Sequence, residues 1–289
     1  MELRVLQYFL AVVREENISR AADVLHVTQP TLSRQMAQLE EELGVQLFIR
    51  GRHLALTDAG VMLRRRAEEV VALMDKIERE FEEKSEVAGI ISIGSGGLNA
   101  LQLLLPVMDC FREKYPKVQF QFYTNSADHV KERLDQGLLD FGLLLEPIDV
   151  AKFDYIRMKE KEKWGLLLHA DHPLAAKENI SKEDLYQIPL ITSDRLSVQK
   201  ELESWLGDNL SNLDIFATYN IITNVAMLVG NGTASALTIE GAINLFGSDR
   251  VVFRPLFPEL SMTSVLAWKK YQPNFGAAAK FLEEIKSMH

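Results

Sequence analysis

The segment NISRAADVLHVTQPTLSRQMAQLEEELGVQLFIR, residues 17–50, decides the fold of the N-terminal part of the chain. Two short helical patterns flank a turn at Val27 and Thr28, where Thr28 is a favoured N-cap for the second helix. Pro30 falls in the first turn of that helix, where its missing N–H is harmless. The apolar residues of the two patterns have the spacing of buried helical faces: Ala21, Ala22 and Leu25, then Leu32, Met36 and Leu39. The segment predicts a helix-turn-helix.

The outward face of the second helix is polar and holds almost no acid before Glu40. Its members carry amide, hydroxyl and guanidinium groups: Gln29, Thr31, Ser33, Arg34, Gln35 and Gln38. In the major groove, Arg pairs with guanine and Gln with adenine, so this face favours an interpretation as a reader of double-stranded DNA. The alternative is that two amphipathic helices joined by a short turn belong to a fold that never touches DNA.

Charge alone does not favour DNA binding. Residues 1–58 contain six Arg, no Lys and eight acids, a balance of 6 − 8 = −2, and the whole chain carries −9. Neither residues 1–58 nor the whole chain therefore has the net positive charge that is usual for phosphate binding. Local cations would have to supply it: Arg34, Arg50, Arg52, His53 and residues 64–66.

Residues 21–50, followed by LTDAG at 56–60, resemble the N-terminal domain of LysR-type transcriptional regulators. The shared motifs are the paired alanines, TQPTLSRQ, LEEELGVQLF and LTDAG, in the order of that family. The resemblance implies a winged helix-turn-helix over residues 1–58. It implies contacts to DNA from the recognition helix and from a wing, whose segment RGRHLALT is about one residue shorter and less basic than is common in the family. The expected DNA-binding residues are Gln29, Pro30, Thr31, Ser33, Arg34, Arg50 and Arg52.

The next segment, residues 59–87, has the pattern of a long linker helix. It holds no proline, and no glycine between Gly60 and Ser85, and its apolar residues follow one another by 4, 3, 4, 3 and 4 positions. That spacing is typical of a coiled-coil seam and predicts a dimerisation helix. The predicted seam residues are Leu63, Ala67, Val70, Met74, Ile77 and Phe81. Alternatively, the stripe packs on the rest of the same chain.

From residue 88 onward, strand-like runs alternate with helical patterns, which indicates open, doubly wound α/β sheets. About 200 residues is long for one such sheet, so two subdomains are expected. The resemblance implies a periplasmic-binding-protein-like effector domain, with lobe I at about 88–162 and 269–289 and lobe II at about 163–268. Strands are predicted at 90–94, 118–123, 140–145, 164–168, 188–192, 214–219, 233–239, 250–254 and 262–268, and helices around 98–114, 126–136, 197–207, 221–230 and 274–288.

Ligands of such folds bind at the carboxyl ends of strands, in the crevice between the lobes. The loop at 94–97 follows a strand and precedes a helix, so its N–H groups could hold a carboxylate or another anion. Each polar residue at a strand end could instead be a satisfied cap or turn, and only their joint location predicts a pocket. The expected effector-binding residues are Ser95, Gly96, Glu146, Thr192, Ser193, Thr223, Asn224 and Thr238.

An enzyme is not expected. GSGGLNA lacks the third glycine of a dinucleotide fingerprint, and the chain holds no Walker sequence, GxSxG or HExxH. Six scattered histidines and a single cysteine, Cys110, provide no metal-ligand spacing. No cofactor or metal is predicted. An α/β enzyme without DNA binding remains an alternative function.

A second alternative is a solute-binding module that does not bind DNA. Charged residues interrupt the apolar N-terminal segment, and no apolar run reaches transmembrane length. The chain contains one cysteine, and its pI is about 5.3. These features favour a soluble cytoplasmic protein with no membrane partner. The expected function is ligand-gated transcription control by a homodimer on promoter DNA, with an unknown small-molecule effector. The resemblance adds a homotetramer, and RNA polymerase is a further candidate partner.

Overall fold

The computed structural model describes residues 1–49, 54–82, 87–146, 148–149, 151–241, 249–270 and 276–287, and the side chains of all of these except 79–82. The chain divides into two compact units, Met1–Lys84 and Ser85–His289.

The first unit is a helical domain with a two-stranded hairpin. Its elements are α1 (Leu3–Glu15), α2 (Ile18–Val24), α3 (Gln29–Leu43), β1 (Phe48–Ile49), β2 (Ala55–Leu56) and α4 (Asp58–Glu82). The stripe predicted on α3 is confirmed, because Leu32, Met36 and Leu39 are buried in one core with residues of α1 and α2. Helix α1, which lies outside the patterns predicted above, supplies Phe9 and Val12 to that core. The unit is a helix-turn-helix closed by a hairpin.

Short-range chemistry sets the ends of these helices. The Asn17 side chain accepts the N–H groups of Ser19 and Arg20 at the start of α2. Thr28 caps α3 as predicted, with its Oγ1 accepting the N–H of Thr31. Gly44 ends α3 in the left-handed conformation, at a φ of 68°, which glycine adopts without steric cost.

Helix α4 begins in close contact with the chain that leads into β1. The Thr57 hydroxyl donates to the carbonyl of Gln46 at 2.7 Å and accepts the N–H of Gly60 at 3.0 Å. A Cβ atom on Gly60 would lie 2.2 Å from the carbonyl oxygen of Leu47. The LTDAG motif therefore joins the hairpin to α4, and glycine is required for the approach.

The second unit is an α/β domain. Its strands are β3 (Gly89–Ser95), β4 (Val118–Thr124), β5 (Phe141–Leu145), β6 (Phe153–His169), β7 (Leu190–Ser193), β8 (Ile215–Tyr219), β9 (Ser235–Ile239), β10 (Val251–Pro255) and β11 (Ser261–Lys269). Its helices are α5 (Leu101–Lys114), α6 (Ala127–Asp135), α7 (Lys182–Leu185), α8 (Leu196–Leu206), α9 (Thr223–Gly230) and α10 (Gly276–Ser287), with 3₁₀ helices at Pro173–Ala176 and Leu210–Asn212. The sheet order is β4-β3-β5-β11-β6-β9-β7-β8, with β10 also paired to β6.

Strand β6 connects two lobes. Its first part, Phe153–Lys163, pairs with β11, and its second part, from Trp164 onward, pairs with β9 and β10. Lobe I is built on β3, β4, β5, β11 and the first part of β6, and lobe II on β7 to β10 and the second part. Each lobe has its own buried apolar clusters. The sequence predicts a strand here only at 164–168, because the preceding RMKEKEK is too charged to indicate one.

The predicted end of lobe II at about residue 268 is wrong, because the strand predicted at 262–268 belongs to lobe I. Strand β11 pairs antiparallel with β5 on one side, Val265 opposite Leu144, and with the first part of β6 on the other, Lys269 opposite Phe153. The chain therefore returns before Ser261. A buried strand reads as an apolar run whichever sheet it joins, so its sequence does not identify its neighbours.

Candidate DNA interface and effector cleft

The outward face of α3 is presented to solvent. Gln29, Pro30, Thr31 and Arg34 are exposed, and Ser33 is half-buried beside the core stripe. Within the part of the chain that the structure describes, Arg34 takes part in no ion pair or side-chain hydrogen bond. Its guanidinium is therefore available to an external acceptor.

A carboxylate fixes α3 to the hairpin. Oε1 of Glu40 accepts the backbone N–H groups of Leu47 at 2.8 Å and of Phe48 at 3.2 Å. Strands β1 and β2 pair in the register Phe48 to Leu56. The base of the wing is thus tied to the recognition helix. The two predicted wing contacts, Arg50 and Arg52, lie outside the described residues.

The apolar stripe of α4 divides into a covered and an exposed part. Ala67 is buried and Leu63 half-buried in the core of their own unit, where α4 packs on α1. These two residues are therefore not on a free seam, and the alternative of packing within the chain holds for them. Further along, Val70, Met74 and Ile77 are 47%, 37% and 39% exposed, with Leu73 beside them at 38%. The side chain of Phe81 lies outside the described part.

A cleft opens in the second unit, at the carboxyl ends of strands from both lobes, and the space between its walls is about 810 Å³ when the adjoining open solvent is included. Four of the predicted effector residues line it: Gly96, Ser193, Thr223 and Thr238. Much of the remaining wall is apolar, with Leu98, Leu143, Leu144 and Leu145 from lobe I and Trp164, Val198, Ile221, Ile222 and Ile239 from lobe II. Such a wall suits a ligand with an apolar body.

The other four predicted effector residues do not line the cleft. Ser95 is buried, and its hydroxyl donates to the carbonyl of Gly96 at 2.7 Å. Glu146 pairs with Arg157 at 2.8 Å, and Asn224 is exposed elsewhere on α9. Thr192 is buried at 2% exposure, and its Oγ1 has no hydrogen-bond partner among the described residues. A strand-end position does not determine on which side of the sheet a side chain lies.

Polar groups that the sequence did not single out complete the wall. Asn125 and Ser126 precede α6, and Tyr219 ends β8. The Tyr219 hydroxyl donates to the carbonyl of Leu237 at 2.9 Å, and burial raises the pKa of Tyr219 to about 12. Tyr219 therefore stays a neutral hydrogen-bonding group at physiological pH.

Arg195 is the only charged side chain among the described residues that line the cleft. It precedes α8 in lobe II, and its Nε and Nη2 donate to the Asp128 carboxylate of lobe I at 3.3 Å and 3.5 Å. Lys131 lies 3.9 Å from the same carboxylate. Burial, followed by the positive charge of Arg195, lowers the pKa of Lys131. The signal for Arg195 in the sequence was its place two residues beyond the strand end at Ser193.

Behind the cleft, a buried carboxyl lies at the junction of the lobes. Oε1 of Glu162 accepts the N–H of Ala100 at 3.0 Å and the hydroxyl of Ser264 at 3.3 Å. Burial raises the pKa of Glu162. A Cβ on Gly241, beyond β9, would lie 2.3 Å from the backbone nitrogen of Asn99. The lobes therefore meet here at backbone distance.

In the described residues, no group of three or more His, Cys, Asp or Glu side chains is placed to hold a metal ion. None of the described helices has the length and apolar character needed to cross a membrane.

A helix-turn-helix with an exposed polar recognition helix, joined in one chain to a two-lobed domain with a cleft, defines the class of ligand-responsive DNA-binding regulators. Two family models match the chain. One, described as bacterial regulatory helix-turn-helix protein, lysR family, covers residues 3–61, and the other, the LysR substrate binding domain, covers residues 84–289. The chain belongs to the LysR family of transcriptional regulators.

The known relatives agree with this assignment. The Hca operon transcriptional activator HcaR of Escherichia coli (strain K12) is 31% identical over 93% of this chain and 92% of its own length. The crystal structure of CbnR, a LysR family transcriptional regulator, matches with a TM-score of 0.78 at 22% identity over 99% of both chains. Full-length CbnR complexed with its target DNA matches with a TM-score of 0.77 at 22% identity over 100% of both chains.

At 22% identity, the CbnR structures support the fold alone. The assignment of function rests on the two family models and on the similarity to HcaR. The chain is a LysR-type DNA-binding transcriptional regulator with a substrate-binding domain. The curated relatives are named as regulators, in agreement with the expectation that the chain is not an enzyme.

Proposed function

We propose that this regulator binds promoter DNA as a dimer and responds to a small anion with an apolar body held in the cleft. Residues 1–58 read DNA, 59–87 carry the dimer seam, and 88–289 bind the effector. A tetramer and a contact with RNA polymerase are further steps of the same proposal. The site of action is the cytoplasm, where the promoter is.

The exposed face of α3 supports the DNA contacts. Its amide, hydroxyl and guanidinium groups suit base edges and phosphates in the major groove. We assign base contacts to Gln29, Ser33 and Arg34, and the fit to the groove wall to Pro30 and Thr31. Arg50 and Arg52 remain the proposed wing contacts, on the resemblance to the family.

The exposed part of α4 supports the dimer. Four large apolar side chains in solvent on one long helix favour a second copy as their partner. The seam we propose consists of Val70, Leu73, Met74 and Ile77, with Phe81 retained from the sequence pattern.

Replacing Met74 by Asp is expected to raise the dissociation constant of the dimer at least tenfold, because a carboxylate in an apolar seam loses its hydration. Analytical ultracentrifugation of the full-length protein measures this constant. The control is Ala72→Asp, which puts the same charge about 160° away around the helix. Equal dissociation constants for the two variants would contradict the seam.

The proposal that the effector is an anion rests on Arg195. It is the one charge lining the cleft among the described residues, and its side chain is only 18% exposed. A cation that is largely withdrawn from water favours a charged hydrogen-bond acceptor, and a carboxylate accepts two guanidinium N–H groups at once. The leucines and isoleucines around it suit the apolar part of such a molecule.

The test compares carboxylates from acetate to octanoate, and benzoate, with their neutral amides, by calorimetry on the full-length protein. At least one carboxylate is expected to bind about tenfold more tightly than its amide, a difference of about 1.4 kcal/mol. Arg195→Gln is expected to remove that preference. Arg157→Gln is the matched control, because Arg157 pairs with Glu146 outside the cleft lining. A preference that survives in Arg195→Gln would refute the assignment.

A further inference from the structure

The ion pair between Arg195 and Asp128 joins the two lobes at the cleft. Arg195 belongs to lobe II and lines the cleft, whereas Asp128 lies in the first turn of α6 in lobe I. The carboxylate of Asp128 lies against Nε and Nη2 of the guanidinium, at 3.3 Å and 3.5 Å. Asp128 thus occupies one of the two pairs of guanidinium donors through which Arg195 could bind a carboxylate ligand.

The surroundings are suited to a second anion. Arg195 and Lys131 place two positive charges around the Asp128 carboxylate, and Asp194 adds a further negative charge near Tyr219 of the cleft wall. Helix α6 begins at the cleft, and its N-cap, Ser126, makes no side-chain cap hydrogen bond. The first-turn N–H groups of a helix favour negative charge. A carboxylate at this end of the cleft would therefore lie near Arg195, Lys131 and the N-terminal end of α6.

We propose that Asp128 is a built-in counter-ion of the cleft: it binds Arg195 when the cleft is empty, and the carboxylate of the effector displaces it. This inference rests on the proposed function, since it takes the effector to be an anion held by Arg195. Binding then exchanges a contact between the lobes for a contact between lobe II and the ligand.

The exposure of the pair suits such an exchange. The Asp128 side chain is 66% exposed and that of Arg195 18%. Exposed ion pairs are weak, because water competes and two side chains must be held in place. Asp128 can therefore leave at low cost and stay hydrated, while Arg195 keeps a partner in both states. A ligand changes the balance of two states only through a difference in affinity for them, and this exchange supplies one.

The first test measures affinity. With the carboxylate that wild type binds best, Asp128→Asn is expected to bind it about three- to fivefold more tightly, because a competitor of the strength of a surface ion pair is removed. The matching amide is expected to bind both proteins equally. The control is Asp135→Asn on the same helix, because Asp135 pairs with Lys152 within lobe I, at 2.7 Å.

The outcomes separate the two proposals. If carboxylates bind through Arg195 but Asp128→Asn leaves their affinity unchanged or weaker, the counter-ion is refuted and the proposed function stands. If no carboxylate is preferred over its amide, the proposed function fails, and so does the displacement that rests on it.

The second test needs no ligand. Hydrogen–deuterium exchange of the full-length protein is expected to speed up severalfold around 193–198 in lobe II when Asp128 becomes Asn, because the contact across the cleft is lost. Arg195→Gln is expected to speed up exchange around 126–131 in lobe I in the same way. Unchanged exchange in both variants, or an equal change in Asp135→Asn, would overturn the pair as a link between the lobes.

Discussion

Replacing Gly60 by Ala is expected to destabilise the DNA-binding unit. Within a helix, Gly to Ala normally stabilises by up to about 1 kcal/mol. Here the new Cβ would lie 2.2 Å from the Leu47 carbonyl oxygen and 2.8 Å from Cδ2 of Leu56. Backbone cannot move aside as a flexible side chain can, so α4 must separate from the hairpin.

The two units can be followed separately during unfolding. All three tryptophans, Trp164, Trp205 and Trp268, lie in the second unit, so their fluorescence reports that unit alone. Circular dichroism at low denaturant should reveal an early loss of helix in Gly60→Ala, with an unchanged fluorescence midpoint. Val61→Ala, at the adjacent exposed position, is the control. A stabilised Gly60→Ala protein would mean that the contact to Leu47 does not constrain α4.

Replacing Arg34 by Ala is expected to weaken binding to the promoter site by about 10- to 100-fold, because a bidentate contact to a base is worth roughly 1–3 kcal/mol of discrimination. Binding to unrelated DNA should change much less, and the dimer should remain. Mobility-shift titrations of both DNAs at one salt concentration measure the ratio. DNA from the intergenic region beside the gene of this protein is the first promoter to try.

Two further variants define what Arg34 contacts. Arg34→Lys keeps the charge but loses the planar pair of guanidinium donors. If Arg34 contacts a base, Arg34→Lys should weaken binding to the promoter site almost as much as Arg34→Ala. Full rescue by Lys would instead place Arg34 on a phosphate. Arg14→Ala removes an exposed arginine of α1, 67% exposed, and should leave specificity unchanged. If Arg14→Ala costs as much as Arg34→Ala, the recognition face is assigned wrongly.

The helix-turn-helix could be predicted because its determinants are local. The cap at Thr28 and the stripe from Leu32 to Leu39 depend on neighbours within a few residues. The seam on α4 was harder, because the heptad spacing continues unchanged from Ala67, which the unit covers with its own α1, to Met74, which it leaves exposed. Periodicity shows which side of a helix is apolar, but not what covers it.

The cleft shows the same limit. Ser193 and Thr238 could be placed there because strand ends gather at one edge of a sheet. The position of Arg195, two residues beyond Ser193, indicates the same edge of the sheet, but the sequence does not indicate its ion pair with Asp128, 67 positions away in the other lobe. The sequence also does not indicate the ion pair of Glu146, because its partner Arg157 lies on the next strand and no motif marks the two as a pair.

The path of the chain through the lobes has a consequence for synthesis on the ribosome. Lobe II is one continuous stretch, from Trp164 to the residues before Ser261, whereas lobe I needs β11 and then α10, whose Phe281 is fully buried in its core. Domains fold as their residues emerge. The DNA-binding unit should therefore form first and lobe II second, while the residues of lobe I made earliest wait for the C-terminus. Nascent chains halted before Phe281 should present a finished lobe II beside an unfinished lobe I, open to proteolysis.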